Sequence, residues 1–202
     1  MRYLIVILLA VLIIASFGLV SCVYYPTPTP SPPPGPPAAP EIKLDHIEVA
    51  HYESLADDYP KGYDAKRVGF FELGIVLDIT NPNDYAIRLE DLRCTLDFEG
   101  GPGKWFGVGA GAAYEYQWIP AKTTNQARLN SLFTTRTFLL SLLVPGVHGA
   151  MLKELGMSPH DMIKKWFAEL PDFKFKIRVN GEAKFTSPYG DVRATFSGIF
   201  PK

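Results

Sequence analysis

The chain predicts a mainly β fold, a two-sheet sandwich of about seven strands with one to three inserted helices. Three observations carry that expectation. Apolar and polar residues alternate over several separate stretches, the period of a half-buried strand. Clusters of Asn, Pro, Asp and Gly punctuate those stretches, as turns do. The period of 3.6 residues that marks a helix is confined to the interval between residues 138 and 170.

Strand signals begin at Ile42 to Tyr52. Phe71, Leu73, Ile75, Leu77 and Ile79 then alternate with Glu72, Gly74, Val76, Asp78 and Thr80; Asn81-Pro82-Asn83-Asp84 interrupts, and Ile87 to Phe98 resumes. The order is strand, turn, strand, because Pro82 fixes its own φ while the flanking Asn side chains bond nearby backbone. Leu92, Cys94, Leu96 and Phe98 fall on one buried face. Lys104 to Trp118 and Thr123 to Phe133 add strands. Near the end, Phe173, Phe175, Ile177 and Val179 alternate with Lys174, Lys176, Arg178 and Asn180, and Val192, Ala194 and Phe196 follow the turn Pro188-Tyr189-Gly190-Asp191.

Helices fill the interval. Ser158 suits an N-cap and Pro159 the first helical position, and Ile163, Trp166, Phe167 and Leu170 recur on one face before Pro171. Phe138 to Val144 is apolar nearly all round and breaks at Pro145-Gly146; a weaker helical pattern runs from Met151 to Leu155. Such a segment must be covered. Burial under the domain is one expectation. A hydrophobic ligand groove lined by Phe138, Leu139, Leu142 and Leu143, or a patch resting on a bilayer, is the other.

Composition narrows the function classes. Twenty Lys and Arg stand against 21 Asp and Glu, a net charge of −1, so no surplus drives nucleic-acid binding. Two Cys and four His are too few for a zinc ribbon or a disulfide framework. No GxSxG, HExxH, phosphate loop or Cys-x-x-Cys occurs, and no catalytic residue, metal or cofactor is expected. Gly107 to Ala112 meets a relaxed dinucleotide fingerprint, but it leads into a strand, where glycines suit close approach. His46 and His51 are expected on opposite strand faces unless a bulge intervenes, adjacent Asp57 and Asp58 read as solvated, and Lys174, Lys176 and Arg178 as a solvated basic row paired by acids. Cys94 reads as an inert core thiol.

Every charge except Arg2 lies beyond residue 40. Tyr3 to Val20 carries none, and Leu19-Val20-Ser21-Cys22 closes the run, as in a secretory signal. That ending resembles the bacterial lipoprotein signal, whose obligatory Cys becomes the lipidated first residue of the mature protein. The resemblance implies a signal peptide at 1–21, lipidation at Cys22, and attachment to the membrane by two or three acyl chains. Val23 is not the Asp that resembles an inner-membrane retention signal, so the expected address is the outer membrane, facing the periplasm. From Pro26 to Pro40 nine of fifteen residues are Pro. This stretch cannot bury a core and favours polyproline II, so residues 22–40 read as a lipidated Cys and a spacer reaching roughly 55 Å when extended. Residues 41–202 are long enough to fold without disulfides.

In that domain, Leu77-Asp78-Ile79-Thr80-Asn81-Pro82-Asn83-Asp84-Tyr85-Ala86-Ile87-Arg88-Leu89 resembles the signature of the late embryogenesis abundant type 2 family, also called the water stress and hypersensitive response (WHy) domain. There a strand ends in Asn-Pro-Asn and the next apolar strand begins a few residues later. Gly107 to Ala112, Ile119-Pro120-Ala121, and Val179-Asn180-Gly181 with Gly198 are looser matches. The resemblance implies an immunoglobulin- or fibronectin III-like sandwich, a fold-integrity role for Asn81, Pro82 and Asn83, and a function in desiccation or stress tolerance. The expectation is therefore a membrane-anchored, monomeric, non-enzymatic lipoprotein that protects or binds other proteins under envelope stress. Its alternative is a carrier of lipid or another hydrophobic ligand.

Overall fold

A computed structural model describes residues 35–56, 59, 69–114 and 116–202. The signal peptide, Cys22, the spacer up to residue 34 and the Asp57-Asp58 pair lie outside the described residues. The compact unit runs Gly35–Lys202, so it starts six residues before the compositional boundary at 41.

Eight strands are described: β1 (Glu41–Tyr52), β2 (Phe70–Thr80), β3 (Ile87–Gly101), β4 (Lys104–Ala113), β5 (Gln117–Ile119), β6 (Thr124–Thr134), β7 (Ile177–Ser187) and β8 (Gly190–Phe200). One antiparallel sheet has the order β1-β2-β6; the other has β4-β3-β7-β8, with β5 also paired to β3. The two sheets pack face to face, and β1 lies beside β8 while β4 lies beside β6, which shields both pairs of sheet edges. Three helices, α1 (Thr135–Leu143), α2 (Gly146–Glu154) and α3 (Pro159–Glu169), occupy the connection between β6 and β7. The expected mainly β sandwich with inserted helices is what forms.

The alternation places the core. Phe71, Leu73, Ile75, Leu77 and Ile79 of β2 and Leu92, Cys94, Leu96 and Phe98 of β3 are all buried. Burial of such side chains contributes about 1.5–3 kcal/mol each for the larger ones. At the helical end of the sandwich, Phe71, Phe98, Phe133, Phe138 and Trp166 form one aromatic cluster. Phe133 stacks on Phe138 at 5.3 Å, and Trp166 meets Phe98 edge-on at 5.5 Å, both arrangements that suit the ring quadrupoles. The indole N–H of Trp166 donates to the Glu99 carbonyl at 3.1 Å, so the buried ring leaves no orphan donor.

Helix α3 follows its sequence closely. Ser158 caps it reciprocally with Asp161, Pro159 occupies its first turn, and Ile163, Trp166, Phe167 and Leu170 face the core. Two expectations shift. Lys104 to Trp118 divides into β4 and β5 instead of forming one strand. β7 starts only at Ile177, because a 3₁₀ turn at Leu170–Asp172 leads to Phe173, which adopts a left-handed φ of 48°. Lys174 and Lys176 therefore precede β7. Cross-strand pairing with an acid holds for Arg178, which meets Asp97 on β3, whereas Lys174 meets its near neighbour Asp172, each at 2.8 Å.

Glycines in β4 serve close packing. A Cβ on Gly109 would sit 2.6 Å from a ring carbon of Phe133 on β6, so only hydrogen fits where the two sheets meet at that edge. Cys94 has no disulfide partner, and burial pushes its thiol pKa up. At neutral pH it is therefore the protonated, unreactive form.

Candidate functional site

The Asn-Pro-Asn turn between β2 and β3 is a fully satisfied polar node. Asn81 is wholly buried. Its side-chain oxygen accepts from the backbone N–H and the side-chain amide of Asn83, both at 2.9 Å. Its own amide donates to the carbonyls of Tyr85, Ile119 and Pro120 at 2.8, 3.1 and 3.0 Å. One amide thus joins the turn to the segment just after β5. Pro82 lies between the two asparagines, its carbonyl accepting from the Lys122 ammonium at 2.6 Å.

Asn83 faces the N-terminal segment. Its oxygen accepts from the Ala38 N–H at 2.8 Å and its amide donates to the Ala38 carbonyl at 3.0 Å, a two-bond pairing with the backbone of one residue. The Tyr85 hydroxyl donates to the Gly35 carbonyl at 3.4 Å. The signature is accordingly both a turn and the clasp that holds the chain entering the domain. Composition assigned Gly35 to Pro40 to the spacer, because nothing in a Pro-rich stretch reports a partner 45 residues away.

The four residues expected as a groove do not come together as one. Phe138 and Leu142 are fully buried in the aromatic core and Leu139 packs against it, while Leu143 points outward. What the helices present instead is an apolar knuckle at the α1–α2 bend. Leu140, Leu143, Val144 and Val147 are 60–74% exposed. A helix over a sandwich end can bury one stripe only, so a segment apolar all round leaves its other side in solvent. No described helix is long and apolar enough to cross a membrane by itself; α1 and α2 reach that length together but bend by 93°.

Other sequence candidates resolve into structural roles. His46 bonds Asp45 at 2.8 Å, and His51 stacks on Phe70 at 4.9 Å; bulges between Leu44 and His46 and between Val49 and His51 break the simple alternation. The His148 ring contacts the Ser141 carbonyl at 2.6 Å. Among the described residues no group of three or more His, Cys, Asp or Glu could hold a metal ion.

Sequence reasoning passed over Tyr114, Tyr116 and Trp118. They are 67%, 68% and 57% exposed, with arginine guanidinium groups over their rings. Their spacing of two, which puts all three rings on one face of an extended chain, is the signal the sequence carries for them.

No family model matches the chain, and no curated protein matches it. Solved structures give distant similarities. A protein from Archaeoglobus fulgidus is 12% identical, covering 78% of this chain and 96% of its own, with a TM-score of 0.39. A solution structure from Arabidopsis thaliana is 12% identical over 81% of this chain and 80% of its own, with a TM-score of 0.43. A protein provisionally named late embryogenesis abundant (LEA) is 10% identical over 80% of this chain and 70% of its own, with a TM-score of 0.29.

Proposed function

We propose that this chain is a non-enzymatic lipoprotein of the cell envelope, anchored through Cys22 and facing the periplasm from the outer membrane, whose sandwich domain protects other proteins as water is lost. The mechanism is coverage: an exposed apolar surface binds apolar segments that clients uncover on drying, and so keeps them from associating with one another.

The observation that carries this reading is the knuckle of Leu140, Leu143, Val144 and Val147, exposed beside an interior already filled by Phe138, Leu142 and Trp166. Apolar surface in contact with water is the part of the molecule with most to gain from a partner. The resemblance of Asn81, Pro82 and Asn83 to the stress-associated family supports the same direction. A carrier of apolar ligands has less support, since two of its four lining residues are fully buried.

Drying a labile reporter enzyme with the purified protein tests the reading. Protection beyond that of an equal mass of inert protein is expected, and Leu140→Ser/Leu143→Ser/Val147→Ser should remove most of it without lowering thermal stability. Equal protection by the variant rejects the mechanism. Anchoring is tested separately: labelled fatty acid should attach to the natural chain and not to Cys22→Ser.

A further inference from the structure

The outer face of the five-stranded sheet carries a second set of features that the protective reading does not use. Cross-strand register places Ala112, Arg93, Glu182 and Thr195 in one row across β4, β3, β7 and β8, and Ala110, Thr95, Asn180 and Ser197 in the next. The small side chains of Ala110 and Ala112 at the β4 end of these rows leave a shallow hollow of about 570 Å³. Its floor is methyl groups and backbone from Ala110, Gly111, Ala112 and Gly181, and Arg93, Asn180 and Glu182 contribute its polar margin.

Aromatic rings stand at both ends of this face. Trp105 lies at one end of β4 with the Arg178 guanidinium 4.7 Å from its ring centre. Tyr114 follows the other end, roughly 30 Å along an extended chain. Arg93, which borders the hollow, lies 5.8 Å from the Tyr114 ring centre, and Arg88 lies 4.9 Å from Tyr116 and 5.6 Å from Trp118. Three large rings in water at this one edge are not core residues displaced by crowding.

Charge narrows the ligand. Each guanidinium on this face already has a carboxylate: Arg88 with Glu90 at 2.7 Å, Arg93 with Asp91 at 2.9 Å, Arg178 with Asp97 at 2.8 Å and Arg193 with Glu182 at 3.2 Å. No unbalanced cation remains among these four to draw a phosphate, a nucleic acid or an anionic bilayer. Planar forks of donors and acceptors held beside aromatic faces and an apolar floor fit a molecule with a C–H face and a rim of hydroxyls. A pyranose ring has that division. We propose that the outer face of the five-stranded sheet, from Trp105 to Trp118, is a binding site for neutral glycans.

The site stands on this face alone, independent of lipid anchoring and of the knuckle. Gel retardation of the full-length chain in neutral detergent tests it, with hydroxyethyl cellulose, glycol chitin and dextran as probes and phosphatidylglycerol vesicles as an ionic control. Retardation by at least one of the three polysaccharides is expected, unchanged between low and high salt because no exposed ionic contact drives it. Tyr114→Ala/Tyr116→Ala/Trp118→Ala should weaken it at least about tenfold, the loss of roughly 1.4 kcal/mol, while the unfolding midpoint stays close to that of the natural chain. Asn180→Ala/Glu182→Ala should weaken it with the aromatic row intact. Binding to none of the three polysaccharides, unchanged binding by the aromatic variant, or binding to the vesicles alone overturns the proposal. So does self-association abolished by the aromatic variant without any glycan binding, which would make the face a protein interface.

Discussion

Asn81 shows how much a single side chain can hold. It supplies hydrogen bonds to three carbonyls and one backbone N–H, of which the Ile119 carbonyl and the Asn83 N–H are buried. Asn81→Ala should lower stability by about 2–4 kcal/mol in denaturant titration, because several buried polar groups lose partners together. Asn83→Ala should cost less. It should also speed proteolysis around Gly35 to Ala38, whose clasp it removes. Cys94 gives a chemical counterpart. Burial raises its thiol pKa, so the neutral form is favoured in the fold, and its stabilising effect is present below the ordinary thiol value of 9.0 and declines as pH rises above it. In a Cys22→Ser protein a thiol reagent at pH 8 should label nothing until denaturant is added; prompt labelling of the native state would contradict the burial.

At the scale of elements, α3 joins two independent devices. Its capping box bonds the Asp161 N–H to the Ser158 hydroxyl at 3.1 Å and the Ser158 hydroxyl to the Asp161 carboxylate at 2.6 Å. The latter bond, with a backbone N–H, holds the Asp161 carboxyl below its ordinary 3.8. A depressed carboxylate pKa contributes stability above the unfolded value and loses it as pH falls through the folded one. The stability gap between the natural chain and Asp161→Asn should therefore be constant from pH 7 to about pH 5 and close below about pH 4. Ser158→Ala should cost about 1 kcal/mol. Trp166→Ala acts on the other device, the packed face, and should cost about 3–5 kcal/mol, since it empties the centre of the aromatic cluster and orphans the Glu99 carbonyl.

Across the whole molecule, the two sheets are closed at one end by helices and approach closely where β4 faces β6. Gly109→Ala would place a methyl against Phe133 at a distance no carbon pair tolerates, and about 1–3 kcal/mol of destabilisation should appear in thermal unfolding. The same architecture separates three surfaces. The clasp at Asn83 receives the incoming chain, the knuckle at α1–α2 exposes aliphatic surface, and the outer sheet face presents rings and paired charges. The knuckle and the sheet face can each be altered by exposed substitutions without entering the core, which makes their contributions separable by experiment.

Strand order along the chain, the capping of α3 and the apolar face of β3 were legible in the sequence, because each depends on periodicity or on bonds between residues a few positions apart. Tertiary structure alone decided which side of Phe138 to Val144 the core would take, that Ala38 would meet Asn83, and that Tyr114, Tyr116 and Trp118 would stand beside Arg88 and Arg93. Those are pairings across tens of residues, set by sheet register and by the area one helix face can bury. A local pattern records which residues are apolar or polar; it does not record the partner that a distant strand brings to them.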